Sequence, residues 1–272
     1  MFTNRLKNLS PIKSLANHRT LIFDLAKREI DSRYKGSVAG LLWSFFNPLL
    51  MLGVYTFVFS IIFQSKWAGG SGSRTEFALV LFAGLIFFGL FSEVIGRAPV
   101  LILGNVNYVK KIIFPVEILA YVAMASALFQ FLASMFIWLI FYSIFFGLPP
   151  LTIFLLPLVV LPLLMLTLGL SWIFASLGVY LRDTPQVVAI GITILMFLSP
   201  IFYSTASVPS DYRYLLQLNP LTFSIETARD VMMWGKPILW MAWLKQIFVA
   251  IFVFCTGFFW FQKTRDGFAD VL

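Results

Sequence analysis

The feature that most constrains this chain is a series of six long apolar stretches: Val38–Phe63, Phe77–Ile95, Glu117–Phe146, Thr152–Leu181, Gln186–Tyr203 and Trp243–Phe261. A helix rising about 1.5 Å per residue needs about 20 such residues to cross about 30 Å of hydrocarbon. The fold class expected is therefore all-α, a polytopic membrane protein with six transmembrane helices. Composition agrees: 12% of residues are charged and 60% hydrophobic, against about 25% charged in a soluble domain. The first stretch does not have the form of a cleavable signal, because its leader is too long and too charged. Pro157 and Pro162 mark candidate kinks in the fourth. The lone Cys255 excludes an intrachain disulfide.

A net charge of +8 invites a nucleic-acid reading, but the distribution of the basic residues argues otherwise. Six spans put both termini on one side. Arg5, Lys7, Lys13, Arg19, Lys27, Arg28, Arg33 and Lys35 precede the first span, and Arg97, Lys110, Lys111, Arg182, Lys263 and Arg265 fall on the same side. The opposite side holds Lys66, Arg74, Arg213, Arg229 and Lys236, with Lys245 at a boundary. Cytoplasmic loops carry the Lys/Arg excess, so both termini are expected in the cytoplasm. The basic residues then act as orientation signals, and no nucleic-acid partner is expected.

Three segments do not read as simple connectors. Residues 97–111, "RAPVLILGNVNYVKK", form a half-apolar cytoplasmic loop, compatible with a short helix across the membrane face. Its apolar residues need a lipid surface or a docked protein to cover them. Residues 1–37 hold a tail and an amphipathic helix, Arg19–Tyr34. Asp24, Lys27, Arg28, Asp31 and Lys35 share one arc of it, and Leu21, Ile22, Leu25, Ala26, Ile30 and Tyr34 the other. This reads as an interfacial helix. Glu29 and Arg33 project into the apolar arc, either paired against protein or facing a polar ligand at the cytoplasmic mouth. Residues 204–242 lie outside and contain a helix capped by Asn219, begun by Pro220 and stopped at Gly235. It is too short to span, and a shorter helical run, "DYRYLLQL", precedes it. Such a hairpin must rest on protein or line a wet cavity, where it would gate an exit. In the turn "YLRDTPQ", Thr184 and Pro185 begin the fifth span, and Arg182 and Asp183 are turn residues or contacts to an anionic head group.

Aromatic residues make up 18% of the chain. Tyr and Trp at span ends fit an interfacial belt. Trp43, Tyr55, Tyr180 and Tyr203 would alternatively line a passage, since sugars stack on aromatic faces. No GxxxxGK[ST], HExxH or CxxC pattern occurs, and His18 is the only histidine. Glu93 and Arg97 form an i,i+4 pair, and Glu117 opens the third span; neither supplies a general acid/base pair. No catalytic residue and no metal ligand is expected. The chain reads as a pathway without its own engine.

Four ordered segments carry a family resemblance. "REIDSRYKGSVAGLLWSFFNPLLMLGVYTFVFS", "NVNYVKKIIFPVEIL", "RDTPQVVAIGITILMFLSPIFYSTASVP" and "NPLTFSIETARDVMMWG" resemble the membrane permease subunit of type-2 ABC polysaccharide exporters, namely the O-antigen (Wzm-like), teichoic acid and capsule permeases. The likeness spans nearly the whole chain, although Leu119-Ala120 stands where the family often has Leu-Pro. It implies a permease domain over 38–272, a homodimer with a central glycan channel, and a bacterial inner-membrane location. It implies a separate cytosolic ABC ATPase that binds ATP and Mg, with no cofactor in this chain. The loop 97–111 would then be the coupling loop, with Pro99, Leu101, Leu103, Asn105, Tyr108 and Lys110 meeting the ATPase.

The substrate implied is an undecaprenyl-pyrophosphate-linked polysaccharide, whose pyrophosphate would meet Arg28, Arg33 or Arg182 at the entrance. O-antigen is preferred over teichoic acid or capsule because the span-one block is closer to the Wzm branch. Export of a drug or small lipid shares the same plan. A membrane-embedded lipid-linked glycan enzyme would need a carboxylate constellation that the sequence lacks, and a scaffold remains the third class.

Overall fold

The computed structural model describes residues 10–37, 39–64, 67, 70, 72–109 and 114–271. Arg5, Lys7, Val38, Lys66, Lys110 and Lys111 lie outside the described residues. Every regular element described is helical. Helices α1 (Pro11–Asn17) and α2 (Arg19–Tyr34) precede α3 (Trp43–Tyr55), which continues as a π-helical run, Thr56–Ile62. Then come α4 (Arg74–Arg97), α5 (Val106–Val109), α6 (Ile118–Phe146), α7 (Leu156–Tyr180) and α8 (Thr184–Leu198). The chain ends with α9 (Arg213–Leu218), α10 (Pro220–Met233), α11 (Trp240–Thr264) and α12 (Phe268–Val271).

Five helical segments are long and apolar enough to cross a membrane: Gly40–Phe59, Arg74–Val100, Ile118–Phe146, Leu151–Tyr180 and Trp240–Gly267. In place of the expected fifth span stands α8, with 15 residues. That is about 22 Å of helix against about 30 Å of hydrocarbon. It stops because Ser199 precedes Pro200 and takes an extended conformation, ψ 146°; a residue before proline is driven out of the helical region. Beyond it the chain folds into the α9–α10 hairpin, and α10 packs on α4 and α7.

Helix α4 is the centre of the bundle. In its most apolar stretch 78% of residues are buried, against 17% for the segment containing α3. Indole N–H groups tie the core: Trp138 donates to the Leu79 carbonyl at 3.0 Å and Trp172 to the Glu117 carbonyl at 3.1 Å. The closest helix pair is α7 with α11. A Cβ on Gly257 would lie 2.1 Å from the Gly169 carbonyl oxygen, so the two backbones touch, as small residues allow in membrane helices.

One end of the bundle, the basic face, gathers α1, α2, the 97–109 loop and the C-terminal segment. Glu117 is fully buried there. It accepts from the Ser14 hydroxyl at 3.3 Å and pairs with Arg265 at 3.2 Å. The Tyr121 hydroxyl donates to the Pro11 carbonyl at 2.9 Å. Helix α2 keeps Asp24, Lys27, Arg28, Asp31 and Lys35 exposed and buries Ile22 and Ala26. Because it packs on α6, its apolar arc is covered in part by protein.

Candidate functional site

A cleft opens where α3 leans on α4 and α6. Asn47 and Tyr55 of α3, Ser92 and Glu93 of α4, Gln130 and Ser134 of α6 and Met196 of α8 help line a cavity of about 340 Å³. At its foot Arg33, Trp43, Asn47, Glu93 and Gln130 line a further space of about 380 Å³. The two share Asn47, Glu93 and Gln130, so one cleft runs from α2 up beside α3. Its shaft is apolar, with Met51, Phe82, Ile86 and Phe131 among its walls. Gln130 fixes the wall by donating from Nε2 to the Ser44 carbonyl at 2.8 Å. Pro48, inside α3, has no N–H to offer and is tolerated in a membrane helix.

The charges singled out in the sequence meet at this foot, but crosswise. Arg33 Nη2 lies 2.6 Å from Glu93 Oε1, and Arg97 Nη2 lies 2.6 Å from Glu29 Oε1. The two same-helix pairs, Arg33–Glu29 and Arg97–Glu93, are longer at 4.0 Å. Arg33 Nη2 also donates to the Ser126 hydroxyl at 3.1 Å. The four side chains thus form a neutral square joining α2 to α4.

On the other side of the square lies a space of about 220 Å³, lined by Arg28, Glu29, Ser32, Arg97, Leu101, Asn105 and Tyr108 among others. It separates α2 from the 97–109 loop. Pro99, Leu101 and Ile102 are buried, whereas Val100 and Leu103 are exposed. Asn105 turns inward, donating from Nδ2 to the Leu101 carbonyl at 2.9 Å. The Tyr108 ring stacks on Phe114 at 4.6 Å. The loop therefore holds to the bundle by its proline and leucine and presents Val100 and Leu103 outward.

The remaining sequence candidates separate. Trp43 and Tyr55 line the cleft. Tyr180 braces the C-terminal segment, its hydroxyl donating to the Thr264 carbonyl at 2.8 Å. Tyr203 donates to the Phe197 carbonyl at 3.1 Å, at the far end of α8. Arg182 is exposed in the α7–α8 turn and lines neither the cleft nor the loop-side space.

Sequence reasoning placed Arg229 on the external helix but counted it only as an external charge. It is 1% exposed. Its guanidinium donates to the carbonyls of Val80 at 2.8 Å, of Ile201 at 2.8 Å, and of Pro200, and lies 4.5 Å from the centre of the Trp67 ring. Three elements are clamped: α4, the turn after α8, and α10. The signal was present, since Arg229 shares the face of Leu221, Ile225 and Met232 at helical spacing, all buried. Beside it, Trp67, Glu226, Asp230, Trp234 and Lys236 help line a cavity of about 360 Å³ on the hairpin face. Glu226 accepts from the Thr205 hydroxyl. Burial holds its carboxyl above the usual carboxylate range, partly offset by that hydroxyl and by the Arg229 charge.

Among the described residues no three metal-ligating side chains gather. What the cleft offers is an ion-paired, aromatic and amide-bearing foot below an apolar shaft. Such a cleft suits a molecule with a polar head and a long apolar tail.

The family model described as ABC-2 type transporter matches residues 20–233. An O-antigen export system permease protein RfbA of Klebsiella pneumoniae is 25% identical over 254 residues, covering 93% of this chain and 95% of the relative. A protein of the same name from Myxococcus xanthus is 30% identical over 212 residues, covering 77% of this chain and 79% of the relative.

Proposed function

The chain belongs to the ABC-2 type transporter family, and we propose that it is the membrane subunit of an exporter moving undecaprenyl-pyrophosphate-linked polysaccharide, specifically O-antigen, across the bacterial inner membrane. In this reading both termini are cytoplasmic, two copies pair, and the passage forms between them. Two ABC ATPase subunits sit under the 97–111 loops and bind ATP and Mg. The observation that carries the reading is the cleft: Arg33 and Trp43 at its foot suit a pyrophosphate and its first sugars, and the apolar shaft suits a polyprenyl chain. The names of the relatives support O-antigen as the cargo.

Val100 and Leu103 supply the apolar surface for the ATPase, with Pro99, Leu101 and Asn105 shaping the loop from within. Closure of two nucleotide-loaded ATPases would press on this loop and, through it, on α7. Arg28 would guide the pyrophosphate from the loop side toward Arg33, and Arg182 would contribute at the neighbouring turn. The slender attachment of α3 to the bundle suits lateral admission of a lipid.

The deciding experiment is deletion of the gene with complementation. Loss of the chain is expected to leave undecaprenyl-linked glycan inside the cytoplasm, and the purified chain is expected to carry its ATPase at one-to-one stoichiometry. Glycan that is never made would point instead to an enzyme, and a chain that exports alone would remove the ATPase from the scheme.

A further inference from the structure

The charge square stands between two spaces that the transport reading uses for different purposes. Arg33 and Glu93 face the cleft foot. Glu29 and Arg97 face the loop-side space, with Leu101, Asn105 and Tyr108 on its other wall. We propose that the square is a relay: an anionic lipid-borne head group taken up at Arg33 re-pairs the four charges and loosens the coupling loop. The proposal rests on the function given above and assigns to its cleft a signal to the ATPase.

The geometry favours exchange over a fixed tie. Each charge has one partner at 2.6 Å and an alternative at 4.0 Å. Glu29 Oε1, Glu93 Oε1 and Arg97 Nη1 are shielded from solvent yet make no aligned hydrogen bond. A pyrophosphate brings more negative charge than one carboxylate and takes a guanidinium bidentately. Offered to Arg33, it displaces Glu93. Glu93 then turns to Arg97, one helical turn away on α4. Arg97 in turn relaxes its hold on Glu29, and the tie between α2 and α4 opens on the loop side. No new residue needs to travel, because every partner is already within reach.

The test uses the full chain with its ATPase in nanodiscs. Three arms separate the sources of anion: undecaprenyl pyrophosphate in the bilayer, inorganic pyrophosphate in solution, and phosphatidylglycerol in the bilayer. Lipid-borne pyrophosphate is expected to raise ATP hydrolysis roughly fivefold or more, the lower end of an allosteric coupling. The other two arms are expected to give little response. An equal response to inorganic pyrophosphate or to phosphatidylglycerol overturns the assignment of the head group.

The decisive variant is the swap Glu29→Arg with Arg97→Glu. It preserves the α2–α4 tie, read as an unchanged melting temperature, but leaves Glu93 no cation to turn to on its own helix. Stimulation is expected to disappear. A normal response in the swap overturns the relay and leaves the transport reading standing, whereas failure to recruit any ATPase removes both. Should the swap melt early, Glu93→Gln replaces it: without the carboxylate that passes to Arg97, Arg97 keeps Glu29 at 2.6 Å, so hydrolysis is expected low and flat across the arms. A wild-type response there counts against the relay equally.

Discussion

The carbonyl of Pro99 rests against the Cα of Gly178: a Cβ at Gly178 would begin 1.9 Å from the Pro99 oxygen. The loop proposed to meet the ATPase is thus seated on the end of α7 by backbone contact, with no side chain between.

Gly178→Ala should therefore unseat the loop. Overpacking of this kind costs about 1–3 kcal/mol, and the displaced element is Ala98–Val100. The expected outcome is normal membrane insertion with export reduced severalfold and ATP hydrolysis uncoupled from glycan. Surface O-antigen on gels, set beside ATPase rates, checks it; an unchanged ratio of the two would show that the contact is dispensable.

Leu101 and Leu103 should behave differently although they are two residues apart. Leu103 is 38% exposed and Leu101 only 7%. Leu103→Asp is expected to fold and to lose ATPase in pull-down. Leu101→Asp places a charge in the core and should lower the melting temperature and the yield. Identical behaviour of the two would remove the distinction between an outward and an inward loop face.

Arg229 and Gly84 should fail together. A Cβ on Gly84 would lie 2.4 Å from Arg229 Nη2, so Gly84→Ala displaces a guanidinium that satisfies three carbonyls. Arg229→Ala removes a donor from all three; the Val80 carbonyl keeps its partner within α4, so the loss falls on the Pro200 and Ile201 carbonyls, at about 1–3 kcal/mol each. Each single variant should lower the melting temperature in detergent by several degrees, and the double variant should cost little more than Arg229→Ala alone. Simple additivity would mean that the two sites are energetically separate.

Glu226 should make the hairpin face sensitive to pH. Its folded pKa is raised above the ordinary 4.5, chiefly by burial. A carboxyl so raised is easier to protonate folded than unfolded. Its contribution is therefore complete below the unfolded value and is lost as the pH climbs through the folded one. Melting temperature should rise on acidification toward that range, and Glu226→Gln should hold the gain at neutral pH. A variant with the wild-type profile would place the titration elsewhere.

Much of the bundle was legible because burial in lipid leaves a long, unbroken mark on the sequence. The hairpin helix was legible to its caps: Asn219 Oδ1 accepts from the Leu221 N–H at 2.9 Å, and Gly235 takes φ +64°. Both are local effects of single residues. The brevity of α8 was written in Ser199-Pro200, but apolar residues beyond it masked the stop. The square could be seen only by halves. Glu29–Arg33 and Glu93–Arg97 are each visible at i,i+4, whereas their crossing depends on how α2 meets α4. The same holds for Pro99 on Gly178 and for Arg229 on Val80, where sequence-distant backbone is the partner and no side-chain pattern announces it.

The shortness of α8 has a consequence for cargo. The electrostatic barrier that a polar molecule meets in a bilayer grows with the thickness of the low-dielectric slab it must traverse. Helix α8 itself reaches about 8 Å less than a full hydrocarbon layer, and the hairpin that follows it lines a cavity with serine, threonine and carboxylate groups. A hydroxyl-rich chain threading along this flank would leave the oily region early and complete its crossing in a polar vestibule.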